Sequence, residues 1–221
     1  MKTCCIISAN NEEKHLRAIL KEIKDHNIDV IVIDDGSTDN TPAIAEDEGA
    51  RLIRHPSCKG KGSSLRDGFR AALEKDYDLF LTIDADGQHA LSEIPLFLNK
   101  ISAGPADIVI GNRLHHPKDM PRYRIFINRL FSAITSLVTR QNIKDGACGY
   151  RIMTRRVLES VKLTTERFDT EYELIIKAAK AGFKTDFVDI ECIYTGGASH
   201  IRPAQYWNDF FGLVFRELVS K

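Results

Sequence analysis

The sequence predicts an α/β domain built on a mostly parallel sheet, and three observations lead to this prediction. In the first half of the chain, short apolar segments alternate with segments whose apolar residues recur every three or four positions. Strands alternating with helices in this way are typical of βαβ units. The chain has 221 residues, enough for one domain with a substantial core. Acidic residues also directly follow two of the predicted strands, at the edge where such sheets bind ligands.

Short apolar runs mark the strands. The run Leu-Phe-Leu-Thr-Ile at 79–83 is typical of a buried strand, and the acidic residues that follow it mark where it ends. The predicted strands span 3–8, 30–33, 51–54, 79–83, 108–110, 185–190 and 192–194.

Helical periodicity marks the segments between these strands. Asn10 is predicted to cap the first helix, with Glu12 in its first turn. Thr41 is predicted to cap the second helix, with Pro42 at its first position. The first helix carries an apolar stripe of Leu16, Ile19, Leu20 and Ile23. Further helices are predicted at 65–73, 92–101, 125–138, 168–181 and 206–218.

The composition limits the classes of protein and of partner. Lysine plus arginine and aspartate plus glutamate each number 31, which argues against a general nucleic-acid binder, since such proteins are usually basic. Five scattered cysteines show no zinc-ligand spacing, and their odd count favours a reducing compartment. We see no secretory signal and no apolar stretch of about 18 residues. A cytoplasmic protein with at most peripheral membrane contact is therefore expected.

The strongest chemical signal is the pair Asp84 and Asp86, which directly follows the fourth predicted strand. Two carboxylates there are costly to desolvate unless a cation or hydrogen-bond donors meet them. With the amide oxygen of Gln88 they suit a hard divalent ion such as Mg²⁺ or Mn²⁺. An ordinary polar turn is the alternative. Asp34 and Asp35 follow another strand in the same way, and this repetition favours a functional site.

Basic residues occur in two further places. The segment 59–63 combines two lysines and two glycines before a helix, a pattern that favours phosphate but lacks Walker-loop spacing and is also compatible with a flexible basic loop. Arginines crowd the region 113–129, where Arg124 and Asn128 lie one helical turn apart. Arginine grips phosphate through paired donors, although a solvated helix face would have the same composition.

Taken together, these segments resemble a known family. The motifs are Asn-Glu-Glu at 11–13, Asp-Asp-Gly-Ser-Thr-Asp-Asn-Thr at 34–41, Gly-Lys-Gly at 60–62, Asp-Ala-Asp-Gly-Gln-His at 84–89 and Gly-Asn-Arg at 111–113. In this order and spacing, the chain resembles family 2 glycosyltransferases of the GT-A fold, most closely the dolichyl- or polyprenyl-phosphate mannosyl- and glucosyltransferases. The resemblance covers almost the whole chain. It implies a single GT-A domain over 1–221, with a nucleotide-sugar-binding half at 1–112 and an acceptor-binding half at 113–221.

The resemblance also implies an inverting transfer of a hexose from a nucleotide-diphosphate sugar, with Mg²⁺ or Mn²⁺ as cofactor. By position it assigns the metal to Asp86 and Gln88, and the acceptor phosphate to Arg113, Arg124 and Asn128. The donor would contact Ser8, Asn10, Glu12, Ile33, Asp35, Lys61, Asp84, Ala85, Asp86, His200 and Arg202. The catalytic set would be Asp86, Arg113, Asp169 and Glu171. The opening Ser8-Ala9-Asn10 replaces the proline and tyrosine that usually contact the nucleoside, so the base preference stays open.

Three functions are compatible with these assignments. A polyprenyl or dolichyl phosphate acceptor is already anionic and needs no strong general base. A saccharide hydroxyl acceptor would need one, and Asp145, Asp169 or Glu171 are the candidates. A non-catalytic nucleotide-sugar-binding module is the third function. A lipid acceptor would bring peripheral contact with the inner face of a membrane through the aromatic stripe at 206–218, although packing of that stripe as core is favoured.

Overall fold

A computed structural model describes residues 1–118, 120–193 and 203–219, and in these residues seven strands form one sheet. The strands are β1 (Thr3–Ala9), β2 (Asp29–Asp34), β3 (Arg51–Arg54), β4 (Leu79–Asp84), β5 (Ile108–Asn112), β6 (Arg151–Thr154) and β7 (Thr185–Asp189). Their order is β3-β2-β1-β4-β6-β5-β7, and every neighbouring pair is parallel except the two that include β6. The predicted α/β fold with a mostly parallel central sheet flanked by helices is confirmed.

Helices connect the strands and cover the sheet. They are α1 (Leu16–Asp25), α2 (Thr41–Asp47), α3 (Lys61–Leu73), α4 (Ile94–Ala103), α5 (Arg122–Thr139), α6 (Arg155–Ser160), α7 (Thr170–Lys180) and α8 (Pro203–Val219), with short 3-10 turns at Leu91–Glu93 and Arg113–His115. The predicted stripe on α1 is buried, as its periodicity requires. No helix within the described ranges is both long and apolar enough to cross a membrane.

The main core lies on the sheet, where Cys4 and Ile6 of β1 and Phe80 of β4 are fully buried. Helix α3 approaches the sheet closely through Gly68. A Cβ atom at that position would lie 2.5 Å from Ile6 Cγ2 and 2.6 Å from Ile33 Cδ1, so a larger residue would push the helix away. This close approach holds the amino-terminal end of α3 near the carboxyl ends of β1 and β2.

A second apolar cluster joins α5, α7 and α8. Phe131 of α5 stacks on Phe210 of α8 with ring centroids 3.9 Å apart, and Tyr172 of α7 meets Phe210 edge-on. One face of α8 is therefore part of the core, as predicted for the aromatic stripe at 206–218. Its opposite face is not, because Phe215 is 70% and Leu218 64% exposed.

The predicted N-cap at Asn10 is wrong, since α1 begins only at Leu16. The backbone amides of 11–13 are satisfied by the loop after β2 instead of by a helix cap. Glu12 N donates to Thr41 Oγ1 at 2.8 Å, and Asn11 N donates to Ser37 Oγ at 2.9 Å. The segment after β1 is thereby held against its neighbouring loop, at the edge where the site lies. Helix α2 includes Thr41 as its first residue, with Asn40 as the cap.

Strand β6 and helix α6 were not predicted from the sequence. Strand β6 begins with Arg151, whose buried guanidinium donates to the carbonyls of Cys148, Glu171 and Gly146 at 2.6, 2.7 and 2.8 Å. A four-residue strand that begins with a charge shows neither an apolar run nor a clear alternation. Because its carbonyl partners come from the folded loop and α7, its burial is a tertiary effect.

Two further predictions concern the carboxyl-terminal part. Residues 192 and 193 form no strand, and residue 194 lies outside the described residues, as do the donor-site candidates His200 and Arg202. Strands β6 and β7 of the second half join the same sheet as the strands of the first half. The division of donor and acceptor binding between 1–112 and 113–221 stays a prediction.

Candidate functional site

The candidate site lies at the carboxyl ends of three neighbouring strands. In the register of the sheet, Ser8 of β1 is paired with Ile33 of β2 on one side and with Asp84 of β4 on the other. The three strands therefore end at the same level, and the loops that follow them meet. Open α/β sheets bind ligands in the crevice at this edge.

The two adjacent aspartates at the end of β2 serve the local structure. Asp34 is fully buried, and it accepts from Ser37 N at 3.1 Å and pairs with Arg54. Asp35 accepts from the backbone amides of Lys59 and Gly60 at 2.9 and 2.8 Å.

Two side chains also contact the Asp35 carboxylate. His55 Nδ1 lies 2.8 Å from Oδ1, and the Cys58 thiol donates to Oδ2 at 3.3 Å. Burial alone would raise the pKa of Asp35, but the hydrogen bonds from His55, Lys59 and Gly60 hold it below its ordinary value. This carboxylate therefore anchors the loop that leads into α3.

Two other predicted nucleoside contacts surround this carboxylate. The side chain of Ile33 is fully buried in the core, so any contact with a bound nucleoside would come from its backbone. The Asn10 side-chain amide donates to the Asp35 carbonyl at 2.7 Å and joins the loops after β1 and β2. The structure brings Asn10, Ile33 and Asp35 together at one end of the crevice.

Lys61, the first residue of α3, forms the electrostatic centre of the site. Its ammonium nitrogen lies 2.6 Å from Asp84 Oδ1 and 2.6 Å from Glu171 Oε1 of α7. Burial alone would lower the pKa of Lys61, but the two carboxylates raise it above its ordinary value. Burial would raise the pKa of Asp84, yet Lys61 and His89 hold it well below its usual range. Lys61 therefore joins the donor candidate Asp84 to the catalytic candidate Glu171.

Close backbone packing makes this meeting possible. A Cβ atom at Gly149 would overlap the carboxylate of Asp84, and one at Gly62 would overlap the Thr170 hydroxyl. The loop before β6 thus packs closely against Asp84, and the amino-terminal turn of α7 packs closely against α3. Ser8, Lys61, Asp84 and Glu171 line a small cavity enclosed between these elements.

The turn after β4 carries the predicted metal ligands. Asp86 Oδ1 accepts from Gln88 N at 3.0 Å, and Gly87 between them adopts a left-handed conformation with φ of 71°. Asp86 and Gln88 are both half-buried, whereas Ala85 is buried beneath the turn. The tight turn holds the carboxylate and the amide two residues apart at the edge of the crevice.

The charge around this turn favours a cation. Burial, followed by the negative charges of Asp86, Asp39 and Asp84, raises the pKa of Glu12 to about 7. A divalent ion beside Asp86 would relieve this repulsion. No group of three or more histidine, cysteine, aspartate or glutamate side chains in the described ranges is placed to share one ion. The residues fit an ion that takes one carboxylate and one amide oxygen and completes its shell with substrate phosphates and water, as Mg²⁺ usually does.

Arg113 and Asp145 form a buried ion pair beyond the end of β5. Arg113 Nε and Nη2 donate to the two Asp145 oxygens at 2.9 and 3.1 Å, and the Arg113 backbone amide donates at 3.2 Å. Burial would lower the pKa of Arg113, but Asp145 raises it well above its ordinary value. Because both of its oxygens are engaged, Asp145 is poorly placed to serve as a general base.

Asp169 differs from the other carboxylates. It occupies the N-cap position of α7 without a side-chain capping hydrogen bond, and it is buried. Burial, with added repulsion from Asp209, Glu173 and Glu171, raises its pKa to about 6. A carboxylate that titrates near neutral pH suits proton transfer.

Two of the three predicted acceptor residues, Arg124 and Asn128, lie on α5, whereas Arg113 lies in the 3-10 turn after β5. Arg124 and Asn128 follow one another by one turn on α5, and both are half-buried. Helix α5 packs against α7 and α8.

Sequence reasoning gave no role to three residues that shape the site: His55, His89 and Arg151. His89 lies 3.7 Å from Asp84 Oδ2 and helps to keep that carboxylate charged. The roles of His55 and Arg151 depend on buried partners that only the folded structure brings to them. A histidine after a short strand carries no signal by itself, because its partners Asp35 and Asp67 lie 20 and 12 residues away.

The chain is similar in sequence to several known proteins. Residues 4–162 match the model of the family described as glycosyl transferase family 2. The UDP-N-acetylglucosamine–dolichyl-phosphate N-acetylglucosaminyltransferase of Methanococcus voltae is 32% identical, over 86% of this chain and 85% of that protein. The dolichyl-phosphate hexose transferase of Haloferax volcanii is 29% identical, over 90% of this chain and 86% of that protein.

Solved structures support the fold. The glucosyl-3-phosphoglycerate synthase of Mycobacterium tuberculosis, crystallised with Mn²⁺ and UDP-glucose, superposes with a TM-score of 0.75. The alignment covers 99% of this chain and 78% of that chain, at 21% sequence identity. At this identity the likeness establishes a shared architecture, and the chemistry must be argued from the site itself.

Proposed function

Because the chain belongs to glycosyl transferase family 2, we propose that it is an inverting enzyme that moves a hexose from a nucleotide-diphosphate sugar to a polyprenyl or dolichyl phosphate. One observation carries the proposal. Lys61 and the acidic residues Glu12, Asp84 and Asp86 meet at the carboxyl ends of adjacent parallel strands. This arrangement suits a diphosphate bound through both a cation and an ammonium group. The relatives named as dolichyl-phosphate transferases support the lipid-phosphate acceptor.

We assign the leaving-group end of the reaction to Asp86, Gln88 and Lys61. Asp86 and Gln88 would hold Mg²⁺ or Mn²⁺, which neutralises charge on the departing nucleoside diphosphate. Lys61 presents a fixed positive charge beside Asp84, and this charge favours the leaving group most strongly when its negative charge is greatest. Glu12, Asn10 and the turn after β2 would contact the nucleoside.

We assign the acceptor end to Arg113, Arg124 and Asn128. Arg113 is held by Asp145 through two nitrogens, and its third guanidinium nitrogen makes no hydrogen bond with a described residue. This nitrogen would donate to the acceptor phosphate. A phosphate monoester, with a second pKa of about 6, is an anionic nucleophile at neutral pH and attacks without a general base.

Transfer to a saccharide hydroxyl is the second candidate, and the pKa of Asp169 near 6 favours it. A hydroxyl must lose a proton as it attacks, and a carboxylate of this kind accepts one. Glu171 is less suited to this role, because Lys61 already occupies one of its oxygens.

Contact with a membrane surface follows from a lipid acceptor. Phe126 of α5 is 65% exposed and Phe215 of α8 is 70% exposed. The same two helices carry the exposed arginines Arg122, Arg129 and Arg216. Apolar and cationic side chains together suit the interface of an anionic bilayer. The corresponding location is the cytoplasm, at the inner face of the membrane. The variant Phe126→Ser/Phe215→Ser should bind anionic vesicles less than the wild type and less than Leu96→Ser, which removes an exposed leucine from α4.

The test of function is a panel of UDP- and GDP-sugars with Mn²⁺ and polyprenyl phosphate, with detection of the glycolipid. Asp86→Ala should lower turnover by about 100-fold or more without changing the unfolding temperature, whereas Asp76→Ala, at an exposed position before β4, should have no effect. Near-normal turnover by Asp86→Ala would refute the metal assignment. Turnover only with hydroxyl acceptors would favour the second candidate, and binding without turnover would indicate a non-catalytic module.

A further inference from the structure

His55 lies buried between carboxylates from two different elements. It directly follows β3, and only 4% of its surface is exposed. Its Nδ1 lies 2.8 Å from Asp35 Oδ1, and its Nε2 lies 2.9 Å from Asp67 Oδ2 of α3. Ionised carboxylate oxygens only accept hydrogen bonds, so both contacts are hydrogen bonds when both ring nitrogens carry a proton.

Other side chains also bind the two carboxylates that flank this ring. On the Asp67 side, Arg70 donates to the second carboxylate oxygen at 2.6 Å. On the Asp35 side, the thiol of Cys58 donates to the carboxylate. The His55 backbone amide donates to the Asp34 carbonyl at 2.9 Å, which fixes the ring at the end of the strand. His55 thus links the loop after β2 to α3 through the contacts of its two ring nitrogens with Asp35 and Asp67.

Through Asp35, His55 is connected to the segment that precedes Lys61. The Asp35 carboxylate also binds the amides of Lys59 and Gly60, the two residues before Lys61. Gly60 has a φ of 99°, a conformation that turns the chain into α3 at this point. A Cβ atom at Gly36 would lie 2.6 Å from the backbone of Ser57, so the two loops pass in direct contact. Any shift of the Asp35 carboxylate would therefore move the segment that carries Lys61.

We infer that His55 is a positioning residue for the donor side of the site: by bridging Asp35 and Asp67 it fixes the loop before α3 and hence the Lys61 ammonium. The inference rests on the proposed function, because it assigns the donor nucleotide to this side of the crevice. His55 itself touches no substrate in this role. Its effect is specific to donor binding, because the acceptor candidates lie on α5 and after β5.

Two substitutions separate the two halves of the bridge. The side-chain nitrogen of asparagine is as many bonds from Cα as Nδ1, so His55→Asn retains a donor toward Asp35. The nitrogen of glutamine corresponds to Nε2, so His55→Gln retains a donor toward Asp67 and loses the one toward Asp35. His26→Asn is the control, since His26 lies between α1 and β2, before the amino-terminal end of that strand.

The measurement is calorimetric binding of UDP and of GDP with Mn²⁺, followed by steady-state kinetics with the sugar nucleotide that is turned over. His55→Gln should weaken nucleotide binding about tenfold and raise the donor KM in parallel, with the acceptor KM unchanged. His55→Asn should stay within about threefold of the wild type, and His26→Asn should match it. If His55→Gln does not fold, Asp67→Asn tests the same bridge and should weaken nucleotide binding about threefold.

Several results would overturn the inference. Unchanged nucleotide binding by His55→Gln is one, and equal losses in the asparagine and glutamine variants are another. A parallel rise of the acceptor KM would show that the substitution disturbs the whole fold. If the wild type binds neither UDP nor GDP, the proposed function fails first, and that outcome is distinct from a wild type that binds and a variant that binds equally well.

Discussion

Replacing Lys61 by methionine tests the charge balance at the centre of the site. The substitution keeps most of the apolar stem and removes the ammonium, which leaves Asp84 and Glu171 without their shared partner. Each contact is 2.6 Å long, which corresponds to about 6 kcal/mol at an effective dielectric constant of about 20, before the cost of desolvation. Breaking a buried ion pair costs about 3–5 kcal/mol in measured cases, which include that cost.

The lower end of this range applies here. The Asp84 side chain is 26% exposed, so water can solvate part of its freed charge, whereas Glu171 is almost fully buried. We expect Lys61→Met to lose about 3 kcal/mol of unfolding free energy, or about 6–12 °C in melting temperature for a chain of this size. Urea denaturation and calorimetry measure both quantities.

Two companion variants make the result interpretable. Lys59→Met removes an exposed lysine from the same loop and should change the stability by less than about 0.5 kcal/mol. Adding Glu171→Gln to Lys61→Met neutralises the more buried carboxylate and should recover about half of the loss. A loss below about 1 kcal/mol in Lys61→Met, or no recovery in the double variant, would refute the reasoning.

Two further predictions concern Glu173 of α7 and Gly149 before β6. Burial alone would raise the pKa of Glu173, but Lys177 and the hydroxyl and amide groups at 164 and 165 lower it from 4.5 to about 2. This lowered pKa contributes about 3 kcal/mol of stability above pH 5, and the contribution is lost as the pH falls toward 2. In urea denaturation, the difference in stability between the wild type and Glu173→Gln should therefore disappear in acid. A difference that does not depend on pH would contradict this prediction. Gly149→Ala should lower turnover by about tenfold or more, because its Cβ would displace the Asp84 carboxylate. The control Gly212→Ala, whose Cβ would lie in open space on α8, should leave turnover unchanged. Normal turnover by Gly149→Ala would show that the loop moves freely.

Local sequence patterns anticipated much of the fold. The apolar run before Asp84 and the stripe on α1 each report burial through a short-range period, and both appear as predicted. The strand β6 could not be found this way, because its first residue is a buried arginine whose partners are carbonyls of another loop and of α7. The N-cap at Asn10 failed because loop side chains at 37–41 compete for the amides that a helix cap would serve.

The site shows the same division. The motifs placed Asp84, Asp86 and Lys61 among the donor residues, and the structure brings Lys61 and Asp84 into contact. The sequence did not indicate that Glu171 shares the same ammonium, nor that Asp145 is fully occupied by Arg113. These pairings join residues that are far apart in the chain, and a local motif carries no information about distant partners.

The sequence by itself determined the alternation of strands and helices, the acidic strand ends and the family, because each depends on short-range order or on motifs in a fixed succession. Only the tertiary structure decided which charges compensate one another. Burial makes an unpaired charge costly, so each buried carboxylate near the crevice takes the state that its spatial neighbours impose. Lys61 holds Asp84 ionised, whereas Asp169, which has no cationic partner among the described residues, has a pKa raised to about 6.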